Sequence, residues 1–488
     1  MINKRILFLL SMVSFLACFH QTYGQQEFTL YHMPVLAQSH YLNPASVPEH
    51  KVSLTLPGTN FFVGMNNSAF NVKAFLSKDG TVDYGKFVAG LSAQNNYLGT
   101  GMSSDLFHLR IKAANNFFSV SSRIINDTRF LYPRDFLGIA STGFDEQYNL
   151  SGLGMHSSTY IENAIGFTRV VPDSRWTYGG RFKLLSGIAN VQTNRSDLVL
   201  NIDNSQNYTY TANVDFQINT SVGLDDTVLE EIGDISDLSG VNDYRNAIKL
   251  NKGYAIDGGV TFQHTKKLSY GLAVNNVGFI NWASFARNYN SQFTTTFEGV
   301  VIEDFDNIEE QVDSLVDAYD EVINDNTDTT REAYKTWLPS SIFLSAHYQL
   351  SPKVRASGSL YAEIFRGISL GGTAALNISL SKSLDFTTSW WYLRKSAANM
   401  GVGLVFKPGW AQFHLVMDNV LPTTFVSISD EELGIDNQLL PYQAKNFNLR
   451  FGVNFVFGRI KNESMLPAQG LRKRKHGFRK YLYKPSSN

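Results

Sequence analysis

The chain has 488 residues, of which 43% are hydrophobic, 13% aromatic and only 17% charged, with 42 Lys plus Arg against 43 Asp plus Glu. The charged fraction lies below the ~25% of soluble domains, and a formal net charge of -1 excludes a globally basic nucleic-acid binder. With 37 Gly and 13 Pro, neither collagen-like repeats nor proline-rich disorder is available, which leaves a folded, turn-punctuated chain.

Residues 1–24 read as a secretory signal. Lys4 and Arg5 form its basic start, Ile6 to Ala17 its apolar run, and Thr22-Tyr23-Gly24 a small-residue exit before Gln25. The single cysteine, Cys18, lies inside this segment behind Phe15-Leu16-Ala17, a poor lipobox, so cleavage after Gly24 is expected to leave a mature chain with no thiol. No later run offers the ~18 apolar residues of a membrane-crossing helix.

The remaining chain is dominated by period two. Phe107, Leu109, Ile111 and Ala113 alternate with His108, Arg110 and Lys112, and Trp176, Tyr178, Phe182 and Leu184 oppose Arg181 and Lys183. Tyr254, Ile256, Val260 and Phe262 oppose Asp257, Thr261 and Gln263, and Ile342, Leu344, Ala346, Tyr348 and Leu350 oppose Ser345, His347 and Gln349. The clearest case is Phe447, Leu449, Phe451, Val453, Phe455 and Phe457 against Asn448, Arg450, Gly452, Asn454 and Val456. Strands of ~9–11 residues with one greasy and one polar face fit a tilted strand crossing a bilayer around a polar interior.

Short polar turns fall at Asn115-Asn116, Pro172 to Arg175, Thr265 to Lys267, Ser351 to Lys353, Lys382-Ser383 and Pro408-Gly409. Taking all of them as periplasmic predicts an all-β transmembrane antiparallel barrel over residues 51–458, with fourteen strands and both ends in the periplasm. The strands begin within Val52–Asn67 and continue as Asp105–Asn115, Asn116–Ile125, Ser157–Val170, Trp176–Asn190, Gly253–Gln263 and Leu268–Val277. They end as Leu338–Leu350, Lys353–Ile364, Gly367–Leu380, Leu384–Leu393, Asn399–Lys407, Ala411–Asp418 and Lys445–Phe457. Closure removes the sheet edges that lipid cannot satisfy. Ser68–Ser104, Asn126–His156, Val191–Lys252, Gly278–Trp337 and Asn419–Ala444 then become long external connections. Within them Glu303–Asp325 holds ten acidic and no basic residues at helical spacing of its apolar ones, and Asp225–Leu238 is a second acidic stretch. Residues 459–488 carry nine Lys or Arg and one Glu and read as a basic periplasmic tail, with Arg472, Lys473, Arg474 and Lys475 as the candidate partner-binding cluster.

No phosphate-cradling loop, metal-ligand spacing or nucleophile elbow appears, so neither cofactor, metal nor catalytic residues are expected. Glu303–Asp325 lacks the Asp-x-Asp-x-Asp-Gly loop of a calcium site. The glycines of Gly401-Val402-Gly403 sit inside a strand and are read as easing barrel curvature. His108, His347 and His414 fall on polar faces of separate strands as lumen side chains. The candidate lumen charges are Arg110, Lys112, Glu162, Arg181, Lys183, Asp257, Arg355, Glu363, Asp418 and Arg450. Charges of both signs persist in such an interior only if paired or hydrated, and they are read as a structural ion-pair network rather than a selectivity ring.

Tyr31-His32-Met33-Pro34, Tyr41-Leu42-Asn43-Pro44-Ala45, Asn275-Asn276-Val277-Gly278-Phe279-Ile280-Asn281-Trp282, Leu338-Pro339, Asp418-Asn419-Val420 and the closing Asn448 to Gly458 run carry a resemblance. Together they resemble an uncharacterised Bacteroidota family of outer-membrane barrels. That family is similar in style to the PorV and PorP/SprF proteins of type IX secretion and, more distantly, to the fatty-acid transporter barrels. The resemblance implies an outer-membrane location and a plug formed by residues 25–50. The leading expectation is a non-enzymatic surface or secretion-associated platform. The alternative is a transporter of a small or hydrophobic ligand, against which the charged interior speaks. Outer-membrane lipid and secretion or surface-complex proteins are the expected partners, with nucleic acid disfavoured by export.

Overall fold

The computed structural model describes residues 27–460 apart from 69–83, 143–146, 204–208, 223–247, 298–321, 366, 394–395, 421–424, 431–434 and 442–445. The signal segment, Asp225–Leu238, most of Glu303–Asp325 and the tail with Arg472–Lys475 therefore lie outside the described residues. The first stave is broken into β1 (His50–Thr55) and β2 (Asn60–Asn67), followed by β3 (Asn96–Ala113), β4 (Asn116–Tyr132), an outlying β5 (Gln147–Asn149), β6 (Gly154–Val170) and β7 (Trp176–Asp203). An outlying β8 (Thr209–Ser221) precedes β9 (Lys252–Gln263) and β10 (Leu268–Trp282). The outlying β11 (Ala286–Phe297) and β12 (Thr327–Thr330) lead through β13 (Tyr334–Trp337) to β14 (Ser340–Ser351). The last staves are β15 (Val354–Ile364), β16 (Ile368–Ser379), β17 (Leu384–Leu393), β18 (Ser396–Phe406) and β19 (Ala411–Asp418); after the hairpin β20 (Phe425–Asp430) and β21 (Ile435–Pro441), β22 (Asn446–Arg459) completes the ring.

Every neighbour pair around the ring is antiparallel, and β1 closes it: Val52 pairs with Phe457 of β22 on one side and Ile111 of β3 on the other. Fourteen staves result, at the positions the alternation assigns. Closure leaves the ring no free edge, which is the condition for crossing lipid with strands. The usual inside and outside of a protein are exchanged. Phe118 and Val120 are 50% and 49% exposed on the outer surface, while Ser119 and Ser121 between them are 6% and 4% exposed within.

Several staves outrun the ranges expected for them. β7 spans 28 residues, far more than the ~9–11 a bilayer requires. Its far end pairs with β5 and β8, and β8 with β11. Parts of Val191–Lys252 and Gly278–Trp337, expected as loops, are thus sheet extended beyond the apolar belt. There one face is polar, as at Thr211 beside Thr296 and Asn213 beside Thr294, and the other is apolar, with Val214 opposite Phe293 and Leu198, and Ile202 opposite Tyr210, so the alternation continues into sheet that lies outside the ring. Helix α2 (Tyr84–Ala89) rests on α3 (Arg134–Thr142) at this long-loop end, with Val88 against Gly138. Of the acidic stretch only residues 322–325 are described as helical.

Residues 27–49 occupy the lumen. Helix α1 (Phe28–Tyr31) and a short 3-10 helix (Ala37–Tyr41) carry the apolar contacts. Phe28 sits between Tyr361 and Trp391, each at 5.2 Å between ring centroids, and Tyr31 stacks on Phe343 at 4.2 Å. Leu30, Met33 and Leu36 form a second cluster with Val405 and Val416. The wall makes room for this segment with glycine. A side chain at Gly401 would place its Cβ 2.0 Å from Thr29 Oγ1, one at Gly403 2.4 Å from Met33 Sδ, and one at Gly179 2.1 Å from the Pro44 carbonyl. Close approach of the inner segment, rather than curvature, accounts for Gly401-Val402-Gly403.

Candidate functional site

A cavity of about 180 Å³ opens at the long-loop end. Its floor is the inner segment, through Glu27, Tyr41 and Leu42, and its wall includes Arg123, Tyr160 and Leu338. Because β4 turns back at Asn116, Arg123 lies about halfway up the stave and marks the depth at which the cavity ends. Polar side chains such as Asp127 and Gln192 and apolar ones such as Phe62 and Val191 both line it.

At the level of this floor, register builds a charge cluster, of which Arg123 and Glu162 line the cavity. Arg123 is paired with Glu162 across β4 and β6, and Arg181 with Asp257 across β7 and β9, so all four face inward at neighbouring heights. Arg181 donates to Asp257 Oδ2 at 2.9 Å and to Glu162 Oε1 at 2.8 Å, and Arg123 donates to the same Glu162 oxygen at 2.8 Å. Lys183 Nζ reaches Glu162 at 3.2 Å and Asp257 at 2.9 Å. Three cations thus share two carboxylates. The surplus positive charge meets the inner segment, since Tyr41 places its ring 3.9 Å from the Arg123 guanidinium and 5.0 Å from that of Arg181 while its hydroxyl donates to Asp105 at 3.1 Å. Desolvating five charges is costly unless every one is bonded, and here each of the five has an opposite partner.

The other predicted lumen charges do not join this cluster; four of them, Arg450, Asp418, Arg355 and Arg110, grip the inner segment one by one. Arg450 forks onto Glu27, and Asp418 accepts from the backbone N–H of Thr29 at 3.2 Å and from its hydroxyl. Arg355 donates to the His32 carbonyl at 2.9 Å, and Arg110 donates to the Ser46 carbonyl at 2.6 Å. Glu363 accepts from Tyr361 and lies 3.7 Å from Arg129. Lys112, near the short-turn end, is only half-buried and stands apart from all of these. At His32 the inner segment itself is neutral: burial, then the Arg355 charge, push the ring down to about 3, and it bonds Thr373 at 2.6 Å and Ser357 at 2.9 Å.

Sequence reasoning missed Arg123, Asp127, Arg129 and the anchoring carboxylates Glu27 and Glu49. The first three share the inward parity of Ser119 and Ser121, so extending the β4 alternation would have found them. No local pattern marks Glu27 or Glu49, whose partners lie some 400 residues away. Among the described residues no group of three or more His, Cys, Asp or Glu gathers as a metal site.

These features define a closed fourteen-strand barrel with an apolar outside, an inner segment bonded to its wall and a vestibule above it. Residues 44–418 match the model of a family of unknown function, DUF5723, and the chain belongs to that family. No curated protein matches. Among solved structures, the toluene transporter TodX of Pseudomonas putida is similar at 9% identity over 86% of this chain and 91% of its own, with a TM-score of 0.36. The toluene transporter TbuX of Ralstonia pickettii is similar at 9% identity over 85% and 92%, with a TM-score of 0.39. A FadL homologue of Pseudomonas aeruginosa gives 10% identity over 84% and 91%, with a TM-score of 0.38.

Proposed function

We propose that the protein is a non-enzymatic outer-membrane barrel, exported by its leading segment, that receives a small ligand in the vestibule and passes it inward when the inner segment shifts. The observation that carries this reading is the vestibule itself, open at the long-loop end and floored by residues of the inner segment rather than by the wall. A mouth closed by a separable piece is what a regulated entry requires, whereas a purely structural barrel has no use for it. The apolar belt supports the membrane location, because residues such as Leu360 at 65% and Ile165 at 62% exposure are stable only against lipid. A second reading, a platform that holds partner proteins and passes nothing, is favoured by one observation: the inner segment is bonded to the wall along its whole length, from Glu27 on Arg450 to Glu49 on Lys407.

A disulfide lock separates the two. Thr29 Oγ1 and Ser389 Oγ lie 2.7 Å apart, so Thr29→Cys with Ser389→Cys places two thiols within bonding reach, and the mature chain is expected to hold no competing cysteine. Proteoliposomes carrying the reduced double variant should release a small entrapped tracer, and oxidation should stop the release. Equal release in both states, or none in either, would refute passage and leave the platform.

A further inference from the structure

On the outer surface, strand register assembles one row of side chains that the vestibule does not use. Lys252 of β9 and Lys335 of β13 both pair with Asn281 of β10, and Ser186 of β7 pairs with Lys252. Cross-strand partners point to the same face, so Ser186, Lys252, Asn281 and Lys335 form one outward row across four staves. One step toward the short-turn end, the same register gives Leu184, Tyr254, Phe279 and Trp337. The step after that gives Phe182, Ile256 and Val277. Tyr254 is 52% and Trp337 67% exposed, and the row beneath them is also open, with Ile256 at 55%. A polar, cationic row thus caps an aromatic row, which caps a purely apolar one.

We propose that this patch binds the phosphate-bearing headgroup of a lipid in the leaflet at the long-loop end. Aromatic residues gather at the height where acyl chains give way to headgroups, which sets the cationic row at phosphate level. Lys252 and Lys335 stand two strands apart, roughly 10 Å at the usual strand spacing, and their flexible stems allow both ammoniums to close on one phosphate over Asn281. Lys335 already leans over the patch, with Nζ 5.2 Å from the Phe279 ring centroid, and Lys252 is held by Ser186 Oγ at 3.2 Å and the Ile248 carbonyl at 2.7 Å. The charge is local rather than a general rim. On β4 and β6 the outward pairs beyond the apolar belt are Asn126 with Thr159 and Thr128 with Ser157, both neutral and bonded to each other.

The inference rests on the barrel spanning a membrane but not on what the vestibule carries, so the two tests fail separately. Full-length protein in detergent is titrated with a bisphosphorylated lipid A and with its dephosphorylated form, and retained lipid is read by native mass spectrometry. The wild type should favour the phosphorylated lipid by on the order of tenfold, and Lys252→Gln with Lys335→Gln should bring the two lipids to parity. Lys335→Arg should keep the preference. An intact heat-modifiable band in the same samples shows that the barrel survives the substitutions. A wild type that holds both lipids equally, a double variant with unchanged preference, or displacement of the lipid by inorganic phosphate alone would each overturn the proposal.

Discussion

Arg450 and Phe451 are neighbours on β22 and opposites in environment. Arg450 is 2% exposed and forks onto Glu27, while Phe451 is 42% exposed between Leu415 and Phe61, whose ring lies 5.6 Å away. The outer face needs only to be apolar, because lipid fits any greasy side chain, whereas the inner face needs particular partners, because each desolvated charge or hydroxyl must be bonded by a named atom. The same stave is therefore permissive in shape and strict in polarity outside, and strict in both inside.

The largest effect should come from removing the shared anion of the inner cluster. Glu162→Ala leaves Arg123 without its carboxylate and Arg181 and Lys183 dependent on Asp257 alone, and breaking a buried ion network in this way costs about 3–5 kcal/mol. Urea titration of the heat-modifiable band measures it, and a loss below ~1 kcal/mol would mean the cluster is hydrated instead of bonded. Next comes the outer face. Phe451→Arg should cost about 2–4 kcal/mol near mid-membrane and lower the assembled fraction, whereas Phe451→Leu should be close to silent. If both variants assembled equally, the outer surface at β22 would not be facing lipid.

A smaller effect probes where the wall meets the inner segment. Gly401→Val drives a side chain into Thr29, an overpacking of about 1–3 kcal/mol that is relieved most readily by expelling the segment. Limited proteolysis should then cut within residues 27–36 while the barrel band keeps its mobility. Loss of the barrel instead would show that the segment is a structural core and not a separable piece.

Which parts were legible follows from the same contrast. Alternation exposed the staves because lipid enforces it on every second residue, and the turns followed from the breaks. The outlying β8 alternates Tyr210, Ala212, Val214, Phe216 and Ile218 with polar residues as regularly as a stave, so period two marks the strand but does not tell a stave of the ring from a strand paired beyond it. The inner segment has no periodicity at all; its burial is dictated by complementarity to the wall, so Gly401 and Gly179 read as plain strand glycines until Thr29 and Pro44 are seen beside them. The charge cluster was half legible: parity gave Glu162, Arg181, Lys183 and Asp257 an inward face, but only the register between strands shows that they meet at one height while Lys112 and Arg355 do not.

The smallest expected effect lies at the lower end of the inner segment, where the two environments join. Glu49 is bonded by Lys407 at 2.8 Å and by Arg459. Burial pushes its carboxyl up, but the charges of Lys407 and Arg459 outweigh burial and hold it below the ordinary value. A carboxyl depressed in the folded state stabilises above its unfolded pKa of about 4.3, and that contribution is lost as pH falls through the lower folded value. The lower end should therefore be held firmly at pH 7 and loosen only in distinctly acid solution. Glu49→Gln, which cannot ionise, should be more readily cleaved near residues 44–50 than the wild type at pH 7, and the difference should shrink toward zero as the pH drops below about 4. A difference that stays constant from pH 7 to pH 3 would show that Glu49 holds the segment by shape and hydrogen bonding, with its charge contributing nothing.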